Sequence, residues 1–233
     1  MPSPKAFFLL VFFVALSGCG SGNPRRIALL APGTRNGTNA PRSVGGGWLA
    51  LCQVGEDRWE LYRTPVRTKR VRDEQIDQSG EKSGREYRTK FPSALCVMRH
   101  PSLAPGRVEA AEFQPTPPSK VNLINEMGLG VKVLFSIDSY ELSAAASGKK
   151  ASHYTLSVST NGGPPKPLDE FERGIQPAFE SAVLIWAGDL NRDGVADFLF
   201  EHGSFNKRGQ SLFLSQRADG GYKSVGRDFW TEY

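Results

Sequence analysis

The chain is poor in the residue types that build most metal and nucleophile centres. Only three cysteines, three histidines and three methionines stand among its 233 residues. No Cys-x-x-Cys pair and no Cys/His cluster occurs, which excludes the usual zinc frameworks. His100, His153 and His202 come without a Gly-x-Ser-x-Gly, His-Glu-x-x-His or reactive-cysteine signature. A hydrolase of a standard type is therefore not announced. No apolar run reaches the roughly 20 residues that a membrane-spanning helix needs. The formal charge of +5 is too modest to imply a nucleic-acid partner.

Long helical periodicity is also missing, whereas glycine (25) and proline (16) are plentiful. Short apolar or alternating segments lie at 48–52, 59–64, 87–91, 94–98, 131–137, 153–159, 182–186, 198–200 and 211–215. Turn formers separate them, which predicts a mainly β fold with little helix: one antiparallel sandwich or split barrel over 44–233. Residues 78–85 and the proline-rich 101–119 read as loops, 144–150 as a turn, and 168–179 as a short helix or irregular turn.

The first residues carry an address. Lys5 precedes an unbroken apolar run of 11 residues, 6–16, and then Ser17, Gly18 and Cys19. That is too short to anchor a chain but fits a cleaved export signal at 1–18. Leu16-Ser17-Gly18-Cys19 resembles the lipobox of bacterial lipoproteins. The resemblance implies diacylglycerol on the Cys19 sulfur, cleavage before Cys19, and acyl chains such as palmitate. Several chains hold a protein stably at a bilayer where one does not. Gly20 follows, where inner-membrane lipoproteins of enteric bacteria often have Asp, so sorting to the outer membrane is implied. Residues 19–43, rich in Gly, Asn, Pro and Arg, read as a lipidated tether.

With Cys19 lipidated, Cys52 and Cys96 remain as an even pair in an oxidising compartment, and a disulfide between them is expected. It would close a loop of about 45 residues and contribute roughly 3–4 kcal/mol. The densest cationic run, Arg67-Thr68-Lys69-Arg70-Val71-Arg72, reads as a solvated edge strand protected by charge, with a patch for acidic headgroups as the other reading.

Residues 189–197 are the most distinctive. Asp189, Asn191, Asp193 and Asp197 fall at positions 1, 3, 5 and 9 of a loop with Gly194 at position 6. Calcium takes six to eight oxygens, and alternate side chains of a tightly curled loop can converge on one point. Val195 would add its carbonyl. An EF-hand needs Glu at position 12, where Phe200 stands. The segment instead resembles the calcium hairpin of FG-GAP and integrin-type repeats, Asp-x-Asp/Asn-x-Asp-Gly-x-x-Asp. It occurs once, so a propeller is not implied.

These readings converge on a non-catalytic, lipid-anchored envelope protein. One structural calcium is expected, the membrane is engaged through the anchor, and an envelope protein or polymer is a possible partner. The alternative is a hydrolase that uses the Asp189 to Asp197 region with His202 around a metal.

Overall fold

A computed structural model describes residues 29–35, 45–73, 77–114, 123, 130–147, 153–172, 181–203, 207–216 and 220–231. Among these residues the chain forms strands and no helix, in three antiparallel sheets. The largest has nine strands in the order β1 (Leu29–Leu30), β7 (Cys96–Met98), β3 (Trp48–Gln53), β4 (Trp59–Thr64), β8 (Gly106–Ala110), β14 (Ser181–Asp189), β15 (Asp197–Gly203), β16 (Lys207–Gln216) and β17 (Gly221–Thr231). It curls until its two ends meet. β1 packs against β16 and β17, and the Ala31 N–H donates to Asp228 Oδ2 at 2.9 Å. The result is a nearly closed barrel in a single mainly β domain, as the sequence predicts.

Strand alternation sorts the core into three layers. Leu49 and Leu51 of β3 face the barrel interior with Leu61, Met98, Trp186, Leu199 and Leu212. Trp48, Ala50 and Cys52 of the same strand face outward. There they pack with Tyr87 of a small sheet of order β2 (Gly33–Arg35), β6 (Gly84–Arg88), β5 (Arg67–Val71). On the other flank a five-stranded sheet runs β13 (Lys166–Glu172), β12 (His153–Thr160), β11 (Asp138–Ser147), β10 (Val131–Phe135), β9 (Glu112–Gln114). Val131, Val133, Tyr140, Leu142, Tyr154 and Leu156 from it meet Leu184, Phe198, Phe200 and Phe213 of the barrel.

β14 serves both layers by means of a bulge. Its register with β15 shifts between Leu184 and Trp186. Two residues apart, these side chains would share a face in a regular strand. The extra residue lets Leu184 join the outer layer while Trp186 fills the barrel. Just beyond, Gly188 pairs with Ala110 of β8. A Cβ there would lie 2.1 Å from the Glu109 carbonyl oxygen and 2.8 Å from Trp186. Only glycine permits this approach.

Several expectations need correction. Cys52 and Cys96 are free thiols, not a disulfide. Their strands are neighbours, with Leu51 opposite Cys96. Cys52, one residue on, therefore points to the opposite face: Cys96 lies inside the barrel and Cys52 outside it. Diverging Cβ vectors exclude a bond. Secondly, the stretch 19–43 is not all tether. Leu29 and Leu30 are fully buried and pair with Met98 and Val97, while Gly33 pairs with Tyr87. Thirdly, 101–119 is not one loop, since β8 and β9 lie within it. Fourthly, 166–172 is a strand and β11 continues through Ser147. The signal at 1–18 and Cys19 lie outside the described residues.

Candidate functional site

The loop 189–197 joins β14 to β15, with Asp189 ending one strand and Asp197 beginning the next. Reversal within so few residues uses two left-handed positions, Arg192 at φ 61° and Gly194 at φ 84°. Arg192 is held there from its far end. Its guanidinium donates to the carbonyls of Pro105 at 2.9 Å and of Ala104 and Arg107 at 3.3 Å. The loop's one cation is thus turned away from its own carboxylates.

Those carboxylates turn inward and accept from the loop backbone. Asp189 takes the N–H of Asp193 at 3.0 Å on Oδ1 and that of Gly194 at 2.8 Å on Oδ2. Asp193 Oδ1 takes the Val195 N–H at 2.9 Å. Its Oδ2 accepts from the Asn191 amide at 3.1 Å. Asn191 Oδ1 accepts the Asp193 N–H at 3.2 Å. Asp197, fully buried, is the most heavily used. Its Oδ2 accepts from Leu190 N–H at 2.7 Å and Asn191 N–H at 3.3 Å. Its Oδ1 accepts the Ser215 N–H at 2.7 Å. The Ser215 hydroxyl lies 2.8 Å from Asp193 Oδ2 and 3.0 Å from Asp197 Oδ1, and donates to one at a time.

A carboxylate has about four acceptor positions. Those of Asp197 are filled, whereas Asp189 and Asp193 each accept fewer bonds than that and the Asn191 carbonyl oxygen accepts one. Among the described residues no three carboxylate, thiol or imidazole groups converge as a finished metal cage. Nor does any ion pair among them reach these aspartates. The loop therefore concentrates negative charge without a cationic side chain. Burial raises the Asp189 pKa above the usual carboxylate range, opposed by the Gly194 and Asp193 N–H groups. Burial pushes Asp197 up to about 7, against the hydrogen bonds from Ser215 and Leu190. The donors in the loop are oxygens, the type that a hard cation takes, and they are held by backbone N–H groups and Ser215.

Two contributors are invisible in the motif. Ser215 on β16 braces Asp193 and Asp197 from across the sheet. Tyr140 on β11 accepts the Ala196 N–H at 3.5 Å, which ties the loop to the five-stranded sheet. Both lie far away in sequence, and no spacing rule points to them.

His202 does not join this site. It sits five residues beyond Asp197 on an extended strand, about 16 Å along at 3.3 Å per residue. Its Nε2 lies 2.6 Å from Ser211 Oγ, and both residues are fully buried. Desolvation pushes the imidazole pKa down to about 3, with the Arg227 charge adding to the effect, so the ring is neutral. His100 Nδ1 lies 2.8 Å from Ser102 Oγ in an exposed turn, and His153 opens β12 opposite Glu172. The three histidines are thus dispersed. No family model, curated protein or solved structure matches the chain.

Proposed function

We propose that this chain is a lipid-anchored, non-catalytic module of the bacterial envelope, stiffened by one calcium ion at the 189–197 hairpin. The observation that carries the reading is Leu16-Ser17-Gly18-Cys19 behind the apolar run 6–16. Residues 1–18 act as the export signal, and Cys19 takes the lipid. Gly20 directs the product to the outer membrane. The folded domain then hangs from a linker of about ten residues, Cys19 to Leu29, rather than from the longer tether expected above.

Calcium belongs to this reading through charge. Asp189, Asn191, Asp193 and the Val195 carbonyl supply oxygens from positions that keep acceptor capacity. Asp197 enters the shell by exchanging its Ser215 contacts for the ion. The ion's role is structural: it neutralises carboxylates that otherwise repel one another beside the β14–β15 turn. A hydrolase at Asp189 to His202 is the weaker reading. It needs His202 near the carboxylates and open to substrate, and His202 is fully buried at the far end of β15.

Labelled palmitate tests the anchor. The native chain incorporates label and is cleaved before Cys19, while Cys19→Ala stays an unlabelled precursor. Normal maturation and labelling of the variant would remove the proposal.

A further inference from the structure

Two turns at one end of the five-stranded sheet are tied together by the side chain of Asn161. β10 and β11 join through Ser136 and Ile137, with Phe135 opposite Asp138. β12 leads into a second turn at 160–163, closed by the Gly163 N–H on the Thr160 carbonyl at 2.9 Å. Asn161 and Gly162 at its centre are both left-handed, at φ 52° and 71°. This is the type I′ geometry for which Asn-Gly is a preferred pair. From there Asn161 reaches the first turn. Its Oδ1 accepts the Ser139 N–H at 2.9 Å and lies 3.4 Å from the Ser139 hydroxyl. Its Nδ2 donates to Asp138 Oδ1 at 2.7 Å, and its own N–H donates to the Ser139 carbonyl at 2.8 Å.

Packing does not hold the tip of the first turn: Ile137 is 94% exposed, and Ser136 takes a left-handed φ of 56°. The Asn161 amide therefore matters to both turns. The same dipeptide carries a chemical liability. Gly162 has no side chain to shield its nitrogen, and it is exposed. Its N–H makes no backbone hydrogen bond among the described residues.

We propose that Asn161 is a modification site whose amide converts to a carboxylate once the turn opens, and that this conversion cuts the tie between the two turns. The Gly162 nitrogen loses its proton to solvent hydroxide and bonds Asn161 Cγ. The Cγ–Nδ2 bond breaks, and the nitrogen leaves as ammonia with a proton from water. Water then opens the five-membered imide at either carbonyl, which leaves aspartate or isoaspartate. The fold guards against the first step. A left-handed residue has ψ of about +30 to +60°, which holds Cγ and the next nitrogen on opposite sides of the Cα–C bond. Ring closure needs them on one side, so the turn must open. After conversion the donor is gone. An oxygen stands where Nδ2 lay 2.7 Å from Asp138 Oδ1, and two carboxylates repel where a hydrogen bond held. Isoaspartate also adds a methylene to the backbone, which disrupts the turn itself. The proposal stands apart from the anchor and from calcium.

The test uses the chain from Gly20 onward, which contains every described strand. Incubation in mildly alkaline buffer, followed by digestion and mass spectrometry, measures conversion in the peptide that holds Asn161 and Gly162. Conversion should be at least about tenfold slower in the native chain than in urea, because the reactive conformation needs a local opening. Asp138→Ala should speed native conversion by about two- to tenfold, the loss of one hydrogen bond, and leave the rate in urea unchanged. Asn161→Asp keeps a residue that tolerates the left-handed backbone and removes only the donor. It should lower the Tm by about 2–4 °C, the shift for about one hydrogen bond in a domain of this size. Adding Asp138→Asn to it supplies an amide from the other turn and should restore most of that loss. Equal conversion in the native chain and in urea overturns the proposal, as does no conversion in urea. So does an Asn161→Asp variant that melts with the parent, or a double variant that melts no higher than Asn161→Asp alone.

Discussion

Lowering the pH should open a specific weakness at His202. The ring lies fully buried between the barrel and the five-stranded sheet. Its Nε2 pairs with Ser211, and Arg227 and Asp169 bond each other nearby. Unfolded, it takes a proton near its ordinary pKa of 6.5, but in the fold that falls to about 3 through desolvation. The unfolded state therefore binds more protons throughout this window. Stability from this group is complete above about pH 6.5 and declines as pH falls towards 3, by about 1.4 kcal/mol per unit. At about pH 4.5 the loss is about 2.7 kcal/mol, a large share of the 5–15 kcal/mol typical of a domain. Asp197 acts in the opposite sense. Its folded pKa of about 7 exceeds the ordinary 3.8, so acid protonates the folded state first and adds stability across that interval. Comparison with His202→Gln isolates the histidine, since both proteins carry Asp197. Urea denaturation at about pH 7.5 and about pH 4.5, in chelator, should give the variant a smaller acid loss by about 2–3 kcal/mol. Equal acid losses in the two proteins would refute the argument, whatever the variant's stability at neutral pH.

The loop and its surroundings make further commitments. Gly188→Ala forces a Cβ onto the Glu109 carbonyl and Trp186, and should destabilise by about 3 kcal/mol in urea. Asp197→Ala strands the buried N–H groups of Leu190 and Ser215, and should cost about 2–5 kcal/mol even in chelator, measured the same way. Calcium at a hundredfold excess over its Kd should add about 2.7 kcal/mol and raise the Tm by several degrees. Magnesium should do much less, and Asp193→Ala should abolish the difference. In the unreduced chain from Gly20 onward, Cys52 and Cys96 should both alkylate on denaturation, and neither should react rapidly in the native state, because burial raises both thiol pKa values.

Much of the fold was legible because its strands alternate locally. The segments at 48–52, 59–64 and 182–186 all became strands, and 131–137 did so as far as Phe135, with Ser136 and Ile137 forming the turn into β11, since period-two patterning against turn formers is a short-range signal. What failed to show was long-range. Leu29 and Leu30 have too few neighbours in sequence to announce a strand: they pair with partners 67 to 69 residues away, and the barrel closes where β1 meets β16 and β17, with Ala31 bonding Asp228 from 197 residues away. β8 and β9 hide between prolines: one begins just after Pro105 and the other ends just before Pro115. Counting cysteines suggested a bond that strand parity forbids, because register decides which face each thiol occupies. In the loop, Asp189, Asn191 and Asp193 are joined by hydrogen bonds, and among the described residues no three acidic groups converge as a metal cage. The bracing by Ser215 and Tyr140, and the filling of every acceptor position on Asp197, depend on sheet neighbours that no motif contains.

The central claim is the anchor, and the mature N-terminus tests it most directly. The protein should be extracted in detergent from the envelope of its expressing bacterium and its intact mass measured, followed by fragmentation of the first residues. The account predicts a chain that begins at Cys19 and carries diacylglycerol on sulfur. A chain that begins elsewhere, or an unmodified Cys19, would contradict it.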